Sequence, residues 1–85
     1  MAYFTFDVEI RTDETGPSGN PFIIFHLVAS FMDPIRGEVL YPMTVKYTDG
    51  MILHNMNQLN KDFPHVQFRR DLITSMKQFV KSQVE

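Results

Sequence analysis

Cysteine is absent from the 85 residues, which excludes disulfide scaffolds, thiol catalysis and cysteine-ligated zinc. Long hydrophobic runs are absent too. The longest, Phe22 to Val28, is interrupted by His26 and falls far short of the ~18–20 residues that span a bilayer. Nor is there a large excess of charge. A net −2 and a pI near 5.8 argue against a strongly basic nucleic-acid binder, while leaving room for a local basic patch. The opening Met1-Ala2-Tyr3-Phe4 shows no basic leader and no small-residue cleavage site, so a secretory signal is not expected and a cytoplasmic location is. What remains is a chain 44% hydrophobic and 21% charged. At this length it buries only ~60–65% of the surface its unfolded form exposes, enough for one core and one domain over residues 1–85.

Residues 2–11 alternate, with Phe4, Phe6, Val8 and Ile10 opposite Tyr3, Thr5, Asp7, Glu9 and Arg11. This period of two predicts a strand dry on one face and wet on the other. Residues 12–20 hold two glycines, a proline and two carboxylates and read as a mobile surface loop. Pro21 then opens a run to Phe31 that is apolar on both sides, as a central strand would be. Asp33-Pro34-Ile35-Arg36-Gly37 predicts a turn. Residues 38–47 alternate again, and Pro42 within them requires a free edge or a bulge, since it cannot donate a ladder hydrogen bond.

Asp49-Gly50 between apolar stretches is the strongest hairpin signal and predicts a short fourth strand, Met51 to His54. A rival reading has Asp49 capping a helix in which Ile52, Met56, Leu59 and Phe63 recur at helical spacing. The asparagines at 55, 57 and 60 weaken it, so a hairpin followed by a helical turn around residues 56–62 is expected. Asp62 is the expected N-cap of a last helix with Pro64 in its first turn. Phe68, Leu72, Ile73, Met76, Phe79 and Val80 form its apolar stripe, opposite Arg70, Thr74, Lys77 and Lys81. The expected fold is α+β: an antiparallel meander of three to four strands with a C-terminal amphipathic helix on one face.

One long helix covers one face of such a sheet. Alternation places Phe22, Ile24, His26, Val28, Leu40, Pro42, Thr44 and Lys46 on the other, with Tyr3, Thr5, Asp7, Glu9 and Arg11 beside them. A surplus apolar face of this kind marks a partner surface, and pairing with a second copy is its simplest use. The expected function is therefore non-catalytic: a small adaptor or inhibitor that binds a protein partner through this face and is itself a homodimer. Tyr3, Arg11, Phe22, Ile24, Val28, Leu40 and Pro42 form the contact. A counter-reading folds the Asn-rich segment 55–63 over that face.

Two other functions compete with this one. Residues 1–50 hold seven acids and three bases, and residues 51–85 three acids and five bases. Arg69, Arg70, Lys77 and Lys81 thus give the last helix a basic face that could meet nucleic-acid phosphates, although Asp7 and Glu9 would repel a backbone from the sheet. An acid/base enzyme would use Asp7, Glu9 and His26, which needs a shared pocket. His26, His54 and His65 with Asp62 lack metal-ligand spacing, and no cofactor is expected. The Gly16-Pro17-Ser18-Gly19 loop matches neither a nucleophile elbow nor a phosphate-binding loop.

Overall fold

The structure, a computed structural model, describes residues 3–85. Met1 and Ala2, which open the stretches read for a leader and for the first strand, lie outside the described residues. Four strands, β1 (Thr5–Thr15), β2 (Pro21–Asp33), β3 (Gly37–Thr48) and β4 (Met51–His54), form one antiparallel sheet in the order β1-β2-β3-β4. Two helices follow, α1 (Met56–Asp62) and α2 (Val66–Val84). This is the expected α+β meander with a C-terminal helix. Its long strands, at ~3.3 Å per residue, span roughly 40 Å, which sets the 46 Å long axis against 21 and 17 Å across.

The core forms where the alternating residues of the middle strands meet the helical stripe. Phe25, Leu27, Ala29 and Phe31 of β2 and Met43 and Val45 of β3 are buried against Leu72, Met76 and Val80, which recur every four residues on α2. Leu59 and Phe63 close the same core from the α1 end. Phe31 is the hub of an aromatic cluster, with Phe4, Phe63 and Phe68 at centroid distances of 5.7, 5.9 and 5.2 Å, all edge-to-face. Tyr41, paired with Ala29 across the sheet, donates a 2.7 Å hydrogen bond to Asp62 Oδ2 and so ties the end of α1 to β3. Burial first, then the Asp62 bond and charge, pushes the Tyr41 phenol up to about 12.

Local chemistry fixes the turns. Asp49 and Gly50 have φ of 50° and 75°, the two positive angles a two-residue type I′ hairpin demands, and β4 pairs back from Thr48↔Met51 to Val45↔His54. The hairpin reading thus prevails over a helix capped by Asp49. Asp33 Oδ1 accepts from the backbone N–H of Ile35 (2.8 Å) and Arg36 (3.0 Å), closing the β2–β3 turn. Those two bonds hold its carboxyl below the usual range. Asn55 Oδ1 accepts from Gln58 N–H at 3.1 Å and starts α1.

Three expectations need correction. The segment read as a loop from residue 12 is strand to Thr15, because Glu14 pairs with Phe22 and Thr15 with Pro21. Only residues 16–20 turn, closed by Gly16 N–H on Asn20 O at 2.7 Å. The N-cap of α2 is His65, whose Nδ1 accepts from Phe68 N–H at 3.3 Å, and Pro64 precedes that cap rather than following it. Asp62 instead ends α1 and is bound to Tyr41.

The third correction concerns β1. Its register slips between Val8 and Ile10, where Glu9 is the extra residue of a β-bulge. Beyond it the alternation inverts, so Ile10 pairs with His26 and faces away from the helices, 57% exposed. Arg11 pairs with Phe25 and turns toward the helices. Its guanidinium lies 5.6 Å from the Phe25 ring centroid, 3.1 Å from Asp13 Oδ1 and 3.4 Å from the Gln83 carbonyl in the last turn of α2. A cation there complements the partial negative charge of a helix C-terminus. The counter-reading of the outer face does not hold, since Leu59 and Phe63 of the segment 55–63 bury on the α2 side.

Candidate partner-binding face

Both helices sit on one side of the sheet, and among the described residues nothing covers the other. The rows of that outer face follow from the register. Asp7, Val28 and Pro42 form one, Ile10, His26 and Thr44 the next, and Thr12, Ile24, Lys46 and Leu53 the third. Leu40 stands opposite Ser30, and Phe22 opposite Glu14. Leu40 is 62% exposed and Leu53 48%, large values for leucine on a sheet with a packed core behind it.

Lys46 Nζ lies 4.4 Å from the Phe22 ring centroid, laying its stem along the apolar surface. At the centre His26 Nδ1 and Thr44 Oγ1 are hydrogen-bonded at 3.3 Å, a polar pair ringed by Ile10, Ile24, Val28 and Pro42. Pro42 lies beyond the last β4 pairing, Val45↔His54, so β3 has a free edge at this point, as its missing N–H requires.

Of the seven expected contact residues, Phe22, Ile24, Val28, Leu40 and Pro42 share this face. Tyr3, 83% exposed, lies at its end beside Thr5, Ser30 and Glu38. Arg11 does not belong to it, because the bulge turns that side chain to the helices. Ile10 takes its place. Strict alternation hides this exchange, and the only sequence signal for it is an arginine in line with apolar neighbours once Glu9 is skipped.

The four basic residues of α2 also divide. Arg69 is partly buried, and its Nη1 donates to the Phe63 carbonyl at 2.9 Å, which makes it a brace between α1 and α2. Arg70, Lys77 and Lys81 stay exposed. Glu9 and His26 share one basin of about 370 Å³ that core residues Leu27 and Met43 and the α1-end residues Asn55 and Gln58 also line, whereas Asp7 lies outside it. Among the described residues no three His, Cys, Asp or Glu side chains are grouped so as to hold a metal ion. No helix among them is long and apolar enough to cross a membrane.

His54 is a site residue of another kind. It ends β4 on the helix side, with Nδ1 buried and without a hydrogen-bond partner. Burial, then the charge of Lys77, holds its pKa below 6.5. The folded protein therefore binds fewer protons here than the unfolded chain, and stability falls as pH drops below the ordinary histidine value. The urea midpoint should decrease between pH 7.5 and 5.5, and His54→Gln should make that decrease smaller. An equal decrease in the variant would remove His54 from the account.

No protein-family model, curated protein or solved structure matches the chain in comparisons with known proteins.

Proposed function

We propose that this chain is a non-catalytic binding protein that works through the outer face of its sheet, with a second copy of itself as the leading partner. The observation that carries this reading is the placement of both helices on one side, which leaves Ile10, Ile24, Val28, Leu40, Pro42 and Leu53 facing solvent. Three strands roughly 40 Å long and the four-residue β4, ~4.8 Å apart, present a face on the order of 600 Å². That approaches the ~800 Å² each partner contributes to a standard interface. Charge also favours self-pairing. A two-fold axis along the strands lays β1, with Asp7 and Glu14 outward, over the Lys46 side of the other copy.

Light scattering coupled to size exclusion tests it. The wild type should run as a dimer at ~100 μM, and Ile24→Asp and Leu40→Asp should run as monomers with unchanged far-UV circular dichroism, because an interfacial aspartate is buried without a partner. A wild type that stays monomeric and captures no protein partner would overturn the proposal.

A further inference from the structure

We propose that the groove where the β2–β3 turn meets the α1–α2 joint binds a small hydrophobic ammonium, an aryl-alkyl amine in its protonated form. This site lies apart from the outer-face cluster and does not depend on how that face is used.

The groove is open to solvent and has a volume of about 480 Å³, within the ~300–1,000 Å³ of small-molecule sites. Phe31, Phe63 and Phe68 line it, and their rings lie 5.2–5.9 Å apart in a fixed edge-to-face and tilted arrangement. An aromatic lining of this kind offers stacking area to a ligand ring and negative ring faces to a cation.

The charged groups at the rim decide the sign of the ligand. Arg36 and Asp33 face each other at 3.8 Å and offset one another, and Asp33 already accepts two backbone N–H groups. Asp62 is different. Its one hydrogen bond comes from the neutral Tyr41 hydroxyl, and among the described residues no cation forms an ion pair with it. His65 uses Nδ1 to cap α2, so in its neutral form the proton sits on Nε2 and the ring brings no charge. An aromatic pocket with one carboxylate at its edge that no ion pair engages suits a single positive charge carried next to an apolar body.

The experiment uses 2-(1-naphthyl)ethylammonium at pH 7 as the ligand, read by its own fluorescence, since the chain has no tryptophan to compete. Saturable binding should be at least tenfold tighter than that of the neutral 2-(1-naphthyl)ethanol and of 1-naphthylacetate, and should weaken with added salt. Asp62→Asn keeps an acceptor for Tyr41 and removes only the charge, so the fold should persist while affinity for the ammonium falls about three- to tenfold. Arg36→Gln, by freeing Asp33, should leave affinity equal or higher. Absence of saturable binding overturns the proposal, as does equal binding of the neutral alcohol. So does a loss on Arg36→Gln larger than that on Asp62→Asn, which would mean the groove selects an anion.

Discussion

Leu72→Ala should lower the unfolding free energy by about 3–5 kcal/mol, the range found for leucines truncated inside tight cores. Leu72 is fully buried, in line with Met76 and Val80, and this stripe holds α2 against Phe25, Leu27 and Val45. The alanine side chain would leave a cavity that long, paired strands cannot collapse to fill. For 85 residues total stability is on the order of 4–13 kcal/mol, so the variant should be partly unfolded in mild denaturant. Urea unfolding followed by circular dichroism, at one fixed protein concentration, measures it. Gln78→Ala, an exposed position on the same helix, should stay within about 0.5 kcal/mol of the wild type. A Leu72→Ala loss under about 1 kcal/mol would mean that α2 is not seated as described.

The second large effect is expected at the β3–β4 hairpin. Gly50 has a φ of 75° with nothing within 4 Å of where a Cβ would stand, so any penalty for a side chain there comes from the backbone alone. A left-handed conformation costs an L-residue roughly 1–2 kcal/mol, with a β-branched one at the upper end. Gly50→Val should therefore lower stability by about 1–2 kcal/mol and loosen β4 first, since β4 has four pairs to hold it. Hydrogen exchange should rise for Met51–His54 while β2 stays protected. Asp49→Asn, at φ 50°, should be close to neutral, because asparagine tolerates the same region. If valine and asparagine act alike, the turn is not the type that these angles indicate.

The meander, the long helix and the hairpin were legible because each rests on local pattern: period two in β1 to β3, three- and four-residue spacing from Phe68 to Val80, and Asp-Gly at 49–50. What could not be read depends on partners distant in the chain. Asp62 has the right chemistry for an N-cap, yet Tyr41, 21 residues earlier, takes its carboxylate, and His65 caps α2 instead. Thr12 to Thr15 have little apolar content of their own and are strand because Pro21 to Ile24 pair with them. The outer face was largely visible in the alternation of β2 and β3, but its β1 portion was not. Glu9 carries none of the glycine marking that often betrays a bulge, and so Arg11 and Ile10 exchange faces unannounced.

That single extra residue makes β1 unevenly tolerant of changes in length. With Glu9 removed, Val8 would still meet Leu27 and Ile10 would still meet His26, so both halves would keep their orientation in an uninterrupted ladder. Removing Asp7 and closing the same bulge would instead set Val8 opposite Val28 on the outer face and Glu9 opposite Leu27, a carboxylate against the core. Position 9 is thus a built-in expansion joint, where the strand can shorten by one unit and leave the rest of the molecule undisturbed.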